Sequence, residues 1–298
     1  MEIATALYFG GYSSQVMIAD TALVDAIDTR NFTFEAWVKG IEAEQPEHPQ
    51  IMSNRPNGFL FGFHSRWRGS AHKMPYIQLG AFNGLYEPFR VPHVLDGTWR
   101  HFAATREGMT VSYYLDGHFY RSVSHGCLTS STRGNVLYLG RDRPVSRTTG
   151  FRGYLAEVRI WNVVRGESDI RAGMNTLMTG AEAGLIHYWP LSEGEGHIAH
   201  DLAANESIGI IEGDAVWRIT DFPNRLMANR QVFSSRYEDL RTRARAAYEL
   251  HQERRTEREL WDHPRGRITS AFPIVSRNAA IKKLAICEHC RYYARSSY

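Results

Sequence analysis

The stretch "GYLAEVRIWN", Gly153–Asn162, decides how this chain is read. Tyr154, Ala156, Val158 and Ile160 alternate along it with Leu155, Glu157, Arg159 and Trp161. A period of two is the signature of a β-strand. This strand carries apolar residues on both faces, and a Glu and an Arg among them. Such a pattern fits either a core strand of a binding module or a strand that presents a catalytic carboxylate.

Outward from it, the first 217 residues read as strands between turns. "TALYFGG" alternates and stops at Gly10-Gly11. "NFTFEAWVKG" sets Phe32, Phe34, Ala36 and Val38 against Thr33, Glu35, Trp37 and Lys39. "TWRHFAATREG" and "MTVSYYLDG" are two strands parted by Glu107-Gly108. "YLDGHFYRSV" predicts a hairpin, because Asp-Gly suits a two-residue turn with positive φ. "NVLYLGR" and "GLIHYWPL" add further strands, and "RGESDIRAGMN" is a short helical interruption. Many short strands with regular turn signals and hardly any helix predict an all-β sandwich or jelly roll.

Composition changes after Phe222. Residues 223–298 hold 16 Lys and Arg against 8 Asp and Glu, and the first 222 hold 19 against 24. The split of +8 and −5 predicts two regions, a β body over 1–222 and a basic helical extension over 223–298. From Ser234 to Trp261 the chain lacks Gly and Pro. Phe233, Tyr237, Leu240, Ala244 and Tyr248 form a helical stripe there. Trp261, Phe272, Tyr292 and Tyr293 are further apolar anchors. The extension is expected to be an arm that docks on other protein subunits of a larger assembly. A phage or tail-like particle would suit such an arm.

At 298 residues the chain buries a sizeable core. Apolar residues make up 43% and charged ones 22%, as in ordinary globular proteins. No apolar run approaches the ~20 residues of a membrane span. "MEIATALYFGG" has no basic leader, so no signal peptide is expected, and the expected location is the cytoplasm or a particle assembled there. Three cysteines do not make a disulfide framework.

Five motifs occur in order: "ALYFGGYSSQVMI", "FTFEAWVKG", "DGTWRHFAATREGMTVSYYLDGHF", "GYLAEVRIWNVVRGESDIRAGMN" and "GLIHYWPLSEGEG". Over residues 3–217 they resemble the laminin G-like, concanavalin A-like jelly-roll superfamily. The resemblance implies two packed antiparallel sheets and a role in recognition or adhesion, with sugars or proteins as ligands. It also places an acidic residue at Glu157 and an aromatic at Trp161. Acids are rarely buried unless paired, so Glu157 is expected to orient loop backbone or to pair with a nearby Arg.

Catalysis by a glycoside hydrolase needs two carboxylates ~5–9.5 Å apart across the bond. A Glu-x-Asp-x-x-Glu strand would build that pair, and the sequence has none. "EGEG" at Glu193–Gly196 reads as a solvated turn. Neither a nucleophile elbow nor a phosphate loop occurs. The expectation is a non-catalytic recognition or structural subunit, with a lectin-like carbohydrate binder and a hydrolase as alternatives. Two loops are candidate ligand rims. "HSRWRGSAHK" brings Arg66, Trp67, Arg68 and His72; "RDRPVSRTTG" brings Arg141, Arg143 and Arg147. Trp and Arg are the residue types that dominate binding hot spots. No cofactor is required by any motif. The metal candidates are Asp201, Asn205 and Glu206 for calcium, in a turn more simply read as structural, and Cys287 and Cys290 for half a zinc site. Nucleic acid is not an expected partner, because acids alternate with bases along the tail and no recognition motif appears.

Overall fold

The computed structural model describes residues 4–19, 27, 30–54, 58–64, 72–79, 83–86, 93–124, 136–142, 147–203, 207–222, 248–250 and 252–254. Its strands begin with β1 (Ala4–Gly10), β2 (Gln15–Ile18), β3 (Asn31–Lys39), β4 (Gln50–Ser53), β5 (Phe59–His64) and β6 (Met74–Leu79). They continue with β7 (Asn83–Tyr86), β8 (Arg100–Glu107), β9 (Thr110–Leu115), β10 (His118–Ser124) and β11 (Leu137–Leu139). Then come β12 (Arg152–Trp161), helix α1 (Glu167–Gly173), β13 (Leu185–Trp189), β14 (Ile198–His200), β15 (Ile208–Glu212) and β16 (Val216–Thr220). The first sheet runs β10-β9-β8-β3-β12-β1-β16, with β13 also paired to β12. The second runs β14-β15-β2-β11-β4-β5-β6-β7. Two antiparallel sheets packed face to face are the jelly-roll sandwich expected from the sequence.

The core lies between the sheets. Phe32, Phe34, Ala36 and Val38 of β3 point into it, as their alternation predicts. Phe34 meets Phe59 of the opposite sheet at 4.5 Å between ring centres, and Phe61 meets Phe102 at 4.9 Å. Each fully buried phenylalanine contributes about 2–3 kcal/mol of transfer free energy. The predicted hairpin is present. Asp116 and Gly117 both take positive φ, 50° and 76°, between paired β9 and β10.

The outer face of the first sheet is also covered. Trp37 donates from its indole to the Met174 carbonyl just past α1, at 2.8 Å. Phe222 closes edge-on against Trp37 and Trp99, at 5.7 and 4.6 Å. This second layer explains why strands of the first sheet carry apolar residues on both faces.

The decisive strand departs from strict alternation. Its register against β3 shifts between Ala156 and Arg159, and Glu157 sits there at φ 53°. This is a β-bulge, and one extra residue reverses the facing of everything beyond it. Leu155, Val158 and Ile160 face the inter-sheet core, while Tyr154, Ala156 and Trp161 join the outer clusters. The single-face grouping of Tyr154, Ala156, Val158 and Ile160 is therefore corrected.

Candidate functional site

The register places many strand ends together. Gly10 pairs with Arg152, Lys39 with Tyr154, Val38 with Arg100, His64 with Met74, and Gln15 with Glu212. The ends of β1, β3, β5 and β15 and the starts of β2, β6, β8 and β12 thus lie at one end of the sandwich. Both loops singled out in the sequence open from this rim. One leaves β5 at His64 and returns at His72, and the other lies between β11 and β12.

The rim is knitted by backbone contacts. His48 donates from its amide to the Thr148 carbonyl at 2.8 Å, and Gln50 to the Thr149 carbonyl at 3.0 Å. Gly150 lies against the Gly11–Tyr12 turn, where a Cβ would meet the Gly11 carbonyl at 2.5 Å. Tyr12 is 47 % exposed at the tip of that turn. The Arg141 and Arg147 guanidinium carbons each lie 5.5 Å from its ring centre. The His48 and His64 rings lie 4.2 Å apart between centres with planes tilted by 49°, and Tyr76 stands edge-on to His64 at 5.5 Å. Burial, and then the neighbouring His64, pull the His48 imidazole below its ordinary value, which favours its neutral form.

Arg141 is turned inward. It is 4 % exposed and donates to the carbonyls of Asp142 at 3.0 Å and Tyr12 at 2.7 Å. It holds the Tyr12 turn in place, and burial is what lowers its pKa. Arg147, in the same loop, is exposed. His72 is at the rim beside Glu42, 3.3 Å from its carboxylate. Arg66, Trp67, Arg68 and Arg143 lie outside the described residues. Tyr12, Glu42, His48, His64 and His93 were not singled out from sequence. They stand on four separate chain segments, and no local spacing connects them.

Glu157 belongs to a closed network on the outer face of the first sheet. Arg159 is 0 % exposed and donates to Glu157 Oε2 at 2.7 Å, to the Gly173 carbonyl at 2.9 Å and to the Thr176 carbonyl at 2.8 Å. Tyr188 donates its hydroxyl to the same Glu157 oxygen at 2.8 Å. The expected arginine partner is thus two residues along the strand. Glu35, 0 % exposed, binds Arg165 at 2.5 Å and has His101 Nε2 at 3.3 Å. Burial alone would raise the Glu35 carboxyl. The contact with His101 and the charges of Arg159 and Arg165 outweigh it and hold the group at about 2. Both carboxylates are turned into the protein, where Glu35 fastens Arg165, just ahead of α1, and Glu157 fastens Arg159, which holds the carbonyls at the end of α1 and in its following loop.

The remaining sequence candidates have other surroundings. Asp201 is 1 % exposed. One of its oxygens accepts from the amides of Tyr188 and Ala203, at 2.8 and 3.0 Å. The other accepts from the Ser207 hydroxyl at 2.8 Å and lies 2.6 Å from His187 Nδ1. These four contacts occupy the carboxylate, so Asp201 is a buried turn former and not an open calcium ligand. Asn205 and Glu206 lie outside the described residues. Glu193 is not solvated as expected. Its carboxylate accepts the amides of Ser192 and His200, both at 2.8 Å. In the tail, residues 248–250 and 252–254 are helical, as the stripe predicts. The Tyr248 ring lies parallel over His197 of the body at 5.3 Å. Tyr237, Leu240, Trp261, Phe272, Cys287, Cys290, Tyr292 and Tyr293 lie outside the described residues.

Fold and rim together define a jelly-roll β-sandwich with a cluster of aromatic, imidazole and guanidinium side chains at one loop end. The chain belongs to the concanavalin A-like lectin/glucanases superfamily, whose family model matches residues 9–171. No curated protein matches it in sequence. Among solved structures it is similar to a candidate carbohydrate binding protein from Bacteroides ovatus, at 18% identity and a TM-score of 0.55. That match covers 75% of this chain and 62% of the other, so the chain spans less than two thirds of its relative's length. A heptameric pentraxin from Limulus polyphemus is similar at 13% identity and a TM-score of 0.49, covering 73% and 96% of the two chains. Domain 4 of an extracellular arabinanase from Geobacillus stearothermophilus, bound to arabinotriose, is similar at 17% identity and a TM-score of 0.43, covering 58% and 81%.

Proposed function

We propose that this protein is a non-catalytic recognition module that binds a glycan at the loop rim. The observation that carries the proposal is the fixed, half-open Tyr12 ring with Arg147 beside it. A sugar presents a flat C–H face and a ring of hydroxyls. A rigid aromatic surface takes the first at little entropic cost. Guanidinium, imidazole and amide groups around it take the second. Arg141 beneath the turn pre-organises the ring, which lowers the cost of binding. The Bacteroides ovatus protein, described as binding carbohydrate, shares the fold and is consistent with this use of it.

The hydrolase alternative receives no support from the carboxylates singled out here. Glu35 and Glu157 are 0 % and 3 % exposed and are each engaged by an arginine. A general acid and its partner must both reach the glycosidic bond. The described tail contact, Tyr248 over His197, lies within the chain and adds nothing in favour of docking on another subunit.

The test is a glycan array probed with the intact protein and with Tyr12→Ala, Arg147→Ala and Trp67→Ala variants of unchanged melting temperature. Trp67 is included because its segment starts and ends at this rim. Binding to one or more glycans is expected, weakened about tenfold or more by Tyr12→Ala. A blank array, or binding indifferent to all three substitutions, refutes the proposal.

A further inference from the structure

We infer that Glu42, His72 and His93 form a binding site for a divalent transition metal of the zinc class. The three residues come from different parts of the chain. Glu42 opens a short 3-10 turn just after β3, His72 lies just ahead of β6, and His93 precedes the segment that leads into β8. The turn and that segment are fixed to each other. The Glu42 amide donates to the Leu95 carbonyl at 2.9 Å, and Ile41 bridges Asp96.

Three ligand atoms converge. His72 Nδ1 lies 3.3 Å from Glu42 Oε2, and His93 Nε2 lies 3.4 Å from the same oxygen. All three lie within 4.8 Å of one another. Zinc bonds to nitrogen and oxygen of about 2.0–2.1 Å give a tetrahedron with edges of about 3.3 Å. Two of the three edges are therefore already at the length a metal would impose. The imidazoles stack at 4.0 Å with planes 9° apart, so one ring must turn for both in-plane lone pairs to meet a single ion. His93 Nε2 is closed off from solvent and meets no hydrogen-bond partner among the described residues. Glu42 is held by burial, at 8 % exposure, and by the Lys73 amide at 3.2 Å from Oε2.

The donor set selects the ion. Two imidazoles and one carboxylate suit zinc, copper or nickel. Calcium wants six to eight oxygens and finds one side-chain carboxylate here. The imidazole side chains are 36 % and 39 % exposed, and water or a ligand hydroxyl would supply the fourth ligand of a tetrahedral ion. A bound ion would tie β3 of one sheet to β6 of the other at the proposed recognition end. The inference rests on this geometry alone and does not depend on the glycan reading.

The test uses the full-length, metal-free protein carrying Cys287→Ser and Cys290→Ser, so that thiolates cannot supply a competing site. Calorimetric titration with zinc chloride alone is expected to show one tight zinc per chain. His93→Ala and His72→Ala should each weaken it at least tenfold while leaving the metal-free melting temperature unchanged. Cobalt should give the visible spectrum of a four-coordinate nitrogen and oxygen site without a thiolate charge-transfer band. Excess calcium should not compete. Absence of stoichiometric zinc in the protein lacking Cys287 and Cys290, or binding that neither histidine substitution weakens, overturns the inference.

Discussion

Arg159 has no exposed surface, and its guanidinium binds one carboxylate and two carbonyls. A charge in that position is tolerated because Glu157 and Glu35 are buried with it. Removing it strands Glu157 in low dielectric and takes from Glu35 one of its cationic neighbours. Arg159→Ala is expected to destabilise the protein by about 3–5 kcal/mol, read from denaturant unfolding. A loss within the range of a surface substitution would show that the network is not the fastening described. Glu35 adds a pH dependence of known sign. Its folded value, about 2, lies below its ordinary 4.5. Its stabilisation is thus complete above about pH 4.5 and is lost as pH falls through about 2. The unfolding midpoint should decline across that window, and Glu35→Gln should flatten the decline. An unchanged profile in the variant would contradict the assignment.

At the scale of elements, β12 joins two layers. It gives Leu155, Val158 and Ile160 to the inter-sheet core and Ala156 and Trp161 to the outer clusters. The outer layer is completed by Phe222, which follows β16 and packs on Trp37 and Trp99. Phe222→Ala should cost about 3 kcal/mol or more in unfolding free energy. An effect below 1 kcal/mol would mean the layer is marginal. Strand existence was legible in the sequence because alternation and turn chemistry are local. The Asp116-Gly117 hairpin and the inward face of β3 are cases in point. The bulge at Glu157 was not legible, since the extra residue exists only relative to β3, its neighbour in the sheet. Glu193 misled for a related reason. A turn-forming acid looks the same in sequence whether it faces water or accepts buried amides.

At the scale of the whole molecule, antiparallel pairing gathers loops from both sheets at one end. Tyr12, Glu42, His48, His64, His93 and Arg147 are far apart in sequence and share that rim only because of strand register. Trp and Arg content pointed to the loops around Trp67 and Arg147 as the rim. It gave no sign of the tyrosine or the imidazoles, each unremarkable where it stands. The account's central claim is that recognition happens at this end and not on a sheet face. Amide hydrogen exchange of the intact protein, with and without a glycan that binds it, tests the claim most directly. Slowed exchange is predicted in peptides covering residues 11–14, 41–49 and 147–151. Protection confined to β8, β9 and β10, or none in the rim peptides at saturating glycan, would contradict it.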